Sequence, residues 1–424
     1  MYKASLKEWL RVNSNAVALP TLNTVICTML GSGILQLPYT LKQGGWMAAL
    51  IIVVVAVMAT YTGKALILCL YRTLRSSTSE PLLEETGQET CRLTSYPAIG
   101  YEAFGWIGEV VSQAIHKINQ MGVSALFLIL AAGFMNEVTG RLGARNWTLI
   151  CGAMAAAPVL AFPVYREMNW LSLLGVSASV AAIVVVIAVG LQQHFAGEVQ
   201  DAQYDVIKIK TMPLAFSAIV QSFGGHATFP TIEGDMEHKE KFSATIAAAL
   251  ITLTAAYLPV AFVGYFVYGN EVASPILSSL PQRGFLPILT KIWVAFHVLT
   301  AYPILMLDVA IGLQEYARLP SKDEDPRAEL MGRVALRSVL VAITIAFAFA
   351  VPYFGDVMSL VGATCGTATV FLLPCAFNLK LRWGNLPIWE KLWNVLIFSI
   401  GFVGGSIGAY QAFVNLIDNV RSGG

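Results

Sequence analysis

Two short clusters carry the residue types from which a ligand site inside a membrane can be built. The first is Gly31-Ser32-Gly33 followed by Pro38, and the second is Ser222-Phe223-Gly224-Gly225-His226 followed by Pro230. Both interrupt apolar stretches. Glycine and proline weaken a helix there, and irregular backbone at membrane depth survives only where protein or a water-filled cavity satisfies its polar groups. Such a break frees amide N–H groups at the start of one half-helix and carbonyls at the end of the other. The amide end carries about half a positive charge and attracts a carboxylate, whereas the carbonyls attract an ammonium or a cation. Together they suit a zwitterion. Residues 15–41 contain no Asp or Glu, so an amine without its own acid group finds no side-chain carboxylate there, which argues against a monoamine.

Four ionisable residues stand near these clusters or in another apolar stretch. His226 opens the second half of the later break and titrates near neutral pH, so it either senses or passes a proton or hydrogen-bonds the freed backbone. Glu233 and Asp235 follow it along the same helix. They form either a gate with Lys239, Lys241 or Arg166, or a solvated acidic edge. Asp308 is flanked by apolar residues, where an ionised carboxylate is costly without a partner; Lys64 and Lys117 are the candidates, for coupling or gating. Gln120 and Ser124, with Thr300 and Tyr302, are polar groups near the midplane that line a site or pack helices together.

The elements that position these groups follow from composition. The chain has 424 residues, 56% hydrophobic and only 12% charged, about half the charge of an ordinary soluble domain. We count about eleven spans, each long enough for a hydrocarbon core of about 30 Å. They lie near 15–41, 46–71, 107–134, 147–164, 169–191, 212–236, 242–268, 285–316, 334–351, 354–377 and 392–417. Basic residues gather in alternate loops, which puts the N-terminus in the cytosol. Residues 73–94 form a polar loop, and 95–105 a short interfacial helix before the third span. A net charge of +1 gives no field for nucleic acid. The six cysteines show no metal-type spacing and are small core hydrophobes. No hydrolase, zinc-protease or phosphate-loop pattern occurs, so an enzyme is not expected.

The two clusters also repeat in register. Pro20 precedes Gly31, and Pro213 precedes Gly224, by eleven positions; Gly33 precedes Pro38, and Gly225 precedes Pro230, by five. First and sixth spans are thus related as in two five-span halves of an inverted repeat, 15–191 and 212–377, with 392–417 as an added eleventh span. The whole chain, 1–424, is then one transporter domain. A channel would not need two such breaks. A transporter-like sensor would use the same pocket.

At these residues the chain resembles the amino acid/auxin permease family, which includes vacuolar amino acid permeases, proton-coupled amino acid transporters and the vesicular inhibitory amino acid transporter. The matching stretches are residues 31–39 (GSGILQLPY) with Gly44-Gly45-Trp46, 61–64 (YTGK), 95–105 (SYPAIGYEAFG) and 225–236 (GHATFPTIEGDM). The resemblance implies an all-α, LeuT-like membrane fold and secondary amino acid transport by alternating access, driven by protons or, in some branches, sodium. It implies an amino acid as partner besides the bilayer, no cofactor, function as a monomer, and residence in a vacuolar, lysosomal, vesicular or plasma membrane. Carried onto this sequence, Gly31, Ser32 and Gly33 meet the substrate carboxylate, and Ser222, Phe223 and Gly224 its amine or side chain. Relatives often carry an Asn-Pro pair where this chain has Leu307-Asp308, a departure that bears on any sodium site. Valine at Gly31 or Gly225 is predicted to abolish binding while sparing the fold.

Overall fold

The computed structural model describes residues 19–73, 82–83, 89–161, 170–199, 202–317 and 325–422. In chain order its helices are α1 (Leu19–Met29), α2 (Leu37–Gly44), α3 (Met47–Leu68), α4 (Tyr96–Thr139), α5 (Gly143–Ala161), α6 (Trp170–Phe195) and α7 (Met212–Ser222). They continue as α8 (Phe229–Gly234), α9 (Phe242–Tyr268), α10 (Phe285–Tyr316), α11 (Pro326–Ala350), α12 (Phe354–Val361), α13 (Leu373–Arg382) and α14 (Ile388–Arg421).

Eight helices among the described residues are long and apolar enough to cross a membrane, and the bent pair Thr21–Met29 and Ser32–Gly44 makes nine. Of the eleven expected spans, the remaining two correspond to α5 and to the interrupted pair α7 and α8. Their outward faces are apolar: on α3, Leu50, Val54 and Val57 are exposed while Ile52, Val55 and Ala59 are buried. An apolar surface of that kind is stable against lipid, not water. The protein is a multi-pass membrane protein.

The loop expected at 73–94 holds structure. Strands β1 (Tyr71–Thr73), β2 (Leu82–Leu83) and β3 (Glu89–Arg92) form an antiparallel sheet in the order β1-β3-β2. Pairing of Tyr71 with Arg92 brings the two ends of this loop together beneath α8. The interfacial helix is present as the first part of α4, set off by non-helical backbone at Phe104 and a left-handed Gly105 (φ 64°). Ser95 caps it, accepting a hydrogen bond from the Ala98 amide at 3.3 Å, which is why the helix starts there.

A further departure lies in the span expected at 354–377. It contains two π-helical turns, Gly362–Gly366 and Ala368–Leu372. Thr367 Oγ1 donates to the Gly362 carbonyl five residues back at 2.8 Å, satisfying an acceptor that the wider turn displaces. The turn also brings this helix close against α7, since a Cβ at Gly362 would lie 2.1 Å from the Ser217 carbonyl.

Candidate binding site at the two helix breaks

Both breaks are built alike. In each, an α-helix ends, a few residues bend away, and a 3-10 turn (Ser32–Gln36 or His226–Thr228) leads into a second helix that begins Leu37-Pro38 or Phe229-Pro230. Proline fits at this place because its missing N–H is one the helix start could not use. The first break bends the chain by 42°.

The two breaks touch. A Cβ at Gly33 would lie 2.8 Å from Ser222 Cα, and one at Gly225 would lie 2.9 Å from Met29 Cγ. Only glycine allows this approach, which sets the end of α1 beside the end of α7. Gly31 differs: a Cβ there would meet nothing within 4 Å. The open space at Gly31 is part of a small cavity whose wall also includes Ser32, Ser179 and His297.

Tyr257 of α9 joins the breaks from behind. Its buried hydroxyl donates toward the Met29 carbonyl at 3.1 Å and the Ser222 carbonyl at 2.9 Å. These are the last carbonyls of α1 and α7, groups that a helix end leaves without an internal partner. The Phe223 ring stands edge-on to Tyr257 with centroids 5.2 Å apart. Ser179 of α6 reaches the neighbouring Leu30 carbonyl at 3.4 Å. Gln221, one residue before α7 ends, lies against the π-helical turn: a Cβ at Gly366 would sit 2.4 Å from its Oε1, which is buried without a partner among the described residues.

The other expected site residues divide. Ser32, Gly33, Ser222 and Phe223 are buried at the breaks, with Gly31 and Gly224 half-buried beside them. Ser124 donates back to the Gln120 carbonyl at 2.8 Å and Thr300 to the His297 carbonyl at 2.8 Å, so both hydroxyls are spent on their own helices. Tyr302 is buried and its hydroxyl meets Thr344 of α11 at 2.5 Å. This couples α10 to α11 and turns the phenol toward that helix.

The ionisable groups find partners that the sequence either left open, as at Asp308, or did not offer, as at Glu233. His226 does not bond the freed backbone of its own break. Its Nε2 lies 3.0 Å from the Ala59 carbonyl and 3.1 Å from Thr62 Oγ1, both on α3. A carbonyl only accepts, so Nε2 carries the hydrogen and Nδ1 is a buried acceptor without a partner among the described residues. Glu233 pairs with neither Lys239 nor Lys241, and Arg166 lies outside the described residues. Instead its fully buried carboxylate takes Arg92 Nε at 2.7 Å and Nη2 at 2.6 Å, and the Tyr71 hydroxyl donates to its other oxygen. Arg92 also donates to the Pro230 carbonyl at 2.6 Å. The β-sheet thereby latches α8, with both Arg92 nitrogens on Glu233 Oε2 in charge-assisted contacts to a buried carboxylate.

Asp308 has Lys117, not Lys64, as its cation. Lys117 Nζ lies 2.9 Å from Oδ2 and 2.7 Å from the Asp308 carbonyl, with His116 Nε2 3.2 Å from the same Oδ2. Gly312 leaves room for that lysine, since a Cβ there would lie 2.8 Å from its Cε. These pairs tie α4 to α10 toward the end of the molecule that bears the sheet. At the opposite end a polar cleft opens between α2, α4 and the start of α12, lined by Tyr39, Glu137 and Asp356.

Comparison with known proteins fits this geometry. Residues 15–414 match the family described as transmembrane amino acid transporter protein. Among similar proteins of Arabidopsis thaliana, amino acid transporter AVT1H is 27% identical over 94% of this chain and 90% of its own length. Amino acid transporter AVT1J is 28% identical over 90% of this chain and 87% of its own. Among solved structures, inward-facing Mhp1 superposes with a TM-score of 0.52 at 12% identity, covering 95% of this chain and 89% of Mhp1. MhsT in complex with L-phenylalanine gives 0.50 at 10% identity, covering 92% of this chain and 98% of MhsT. The two structures show the fold alone, the LeuT-like fold expected from the sequence. With the family match spanning almost all of its length, the chain belongs to the transmembrane amino acid transporter family.

Proposed function

We propose that the protein carries amino acids across the bilayer as zwitterions, by alternating access, with protons as the driving ion. The observation that carries this reading is the meeting of the two breaks: Gly33 packs on Ser222, Tyr257 gathers the last carbonyls of α1 and α7, and Gly31 beside them borders open space. The substrate carboxylate sits at residues 31–33. Its ammonium lies toward the carbonyls of Met29 and Ser222, with Phe223 and Gly224 bounding the side chain. The named activity of the Arabidopsis relatives supports the substrate class.

Alternating access is supported by the contrast between the two ends. Arg92–Glu233 and Lys117–Asp308 hold the sheet end together, while the opposite end opens in the cleft near Asp356. With the N-terminus cytosolic, as the basic loops indicate, the latched end faces the cytosol. Glu233 and Asp308 then serve as gating groups, and His226 fixes the second half-helix to α3. The halves 15–191 and 212–377 move against each other about the breaks. Since both breaks lie in one chain, the monomer is the working unit.

Uptake into proteoliposomes from a panel of amino acids, under separately imposed pH and sodium gradients, tests this. Accumulation driven by the pH gradient is the expected result. Accumulation that follows sodium and ignores pH removes the proton, and saturable binding without uptake makes the protein a sensor.

A further inference from the structure

We propose that His297 is the proton-binding group of the transport cycle; this rests on the proton-driven reading above. The cavity at Gly31 and Ser32 is closed on its far sides by Ala178, Ser179 and Ala182 of α6 and by Val294, His297 and Val298 of α10. His297 is the one acid or base in this wall among the described residues. Its ring lies so close to Gly175 of α6 that a Cβ there would come 2.4 Å from Cε1 and 2.9 Å from Nδ1. Nδ1 is buried and has no hydrogen-bond partner among the described residues. A buried polar atom left unpaired is costly and calls for a reason.

The surroundings explain what a proton there would do. Along α10 the nearest charged side chains are Lys291, about 9 Å before His297, and Asp308, about 16 Å beyond it, at 1.5 Å of rise per residue, while the closer Tyr302 spends its hydroxyl on Thr344 of α11. Both are already compensated, Lys291 by Glu137 of α4 at 2.8 Å and Asp308 by His116 and Lys117 of α4. From α11, Arg337 donates to the Val159 carbonyl of α5 at 2.8 Å. Cys151 of α5 is buried and outside this wall, and Cys27 of α1 lines a neighbouring cleft. His226, the other buried imidazole near the breaks, is bonded to α3 and does not line the cavity.

An imidazolium at His297 therefore faces no fixed countercharge. It does face the carbonyl end of α1, where partial negative charge gathers. A substrate carboxylate at residues 31–33 would supply the missing countercharge. Proton and substrate thus stabilise each other: protonation raises affinity for the carboxylate, and the bound carboxylate raises affinity for the proton by the same factor. Affinity rises as pH falls, the sign needed for the two to travel together.

The test uses the purified full chain. Amino acid binding is measured by calorimetry between pH 5.5 and 8 in buffers of different ionisation enthalpy, which counts protons taken up. Alongside it, proteoliposomes report uptake driven by a pH gradient and counterflow exchange without one. Wild type is expected to gain about tenfold in affinity over this range, within the usual span of coupling, and to take up a proton on binding. His297→Gln should bind with an affinity that varies less than about twofold with pH, a coupling near zero. It should take up no proton, lose accumulation and keep exchange. Unaltered proton uptake and pH dependence in His297→Gln overturns the assignment and leaves the proton-driven reading standing, whereas a wild type indifferent to pH overturns both. Gly175→Ala, which crowds the ring, provides a second variant if His297→Gln does not fold: a displaced pH midpoint supports the assignment and an unmoved one refutes it.

Discussion

The two breaks share their spacing, their 3-10 turns and their prolines, yet their glycines do different work. In the first break Gly31 borders empty space and Gly33 is pressed against Ser222, while in the second Gly225 is pressed against Met29. The first break therefore borders a small cavity at Gly31 and packs on the second at Gly33, whereas the second is packed against the first at Gly225. Equal spacing in sequence does not mean equal roles: the same broken-helix motif supplies a pocket on one side and a brace on the other.

Substitution at the two positions should separate these roles most strongly. Gly31→Val is expected to lower amino acid affinity by on the order of 100-fold while leaving thermal unfolding in detergent close to wild type, since its methyls enter open space. Gly225→Val should also lose binding, but with a clear drop in unfolding temperature. Its side chain must displace Met29, and overpacking of this kind costs about 1–3 kcal/mol. The sequence predicted the same clean loss for both. Matching unfolding temperatures for the two variants would erase the distinction.

The brace extends through α8 to the sheet, because Glu233 is held by Arg92 and Tyr71. Removing one partner of a buried pair costs up to about 3–5 kcal/mol. Glu233→Gln should thus shift the protein toward opening at the sheet end, read as faster labelling of a cysteine placed at Ile232. Labelling at the wild-type rate would mean the latch is not a gate. A smaller effect is expected at Tyr257. Tyr257→Phe leaves two carbonyls with one donor fewer, about 1–3 kcal/mol, and should weaken binding by roughly tenfold at 1.4 kcal/mol per decade with a modest loss of thermal stability. If binding is unchanged, the hydroxyl does not set the carbonyls for a ligand.

How much of this was legible in the sequence depended on range. Apolar runs located the spans, because burial in lipid imposes length and composition, and Gly-Pro spacing located both breaks, because local backbone rules act within a few residues. What depended on distant partners was hidden. Tyr257 reads as one more aromatic in an apolar helix until the ends of α1 and α7 are seen to converge on it. The Arg92–Glu233 pair joins positions 141 residues apart, one of them in a stretch that composition marks as a polar loop. Three donors were offered for Glu233, and the correct one was not among them. For Asp308, Lys117 was named, yet nothing in the pattern favoured it over Lys64. The π-helical turns change hydrogen-bond register by one residue, which no hydrophobic period records. His297 passed unnoticed because its meaning lies in the empty space it faces.

The central claim is that the paired breaks recognise both charges of a zwitterion. Its most direct test is calorimetric binding of one amino acid beside two derivatives, the carboxamide, which lacks the acid, and the N-acetyl form, which lacks the ammonium. Loss of each charge-assisted contact, about 1.5–3 kcal/mol, should weaken both derivatives by at least about tenfold, and Gly31→Val should bind each of the three more weakly than wild type does. A carboxamide or N-acetyl derivative that binds as tightly as the parent amino acid would contradict the account.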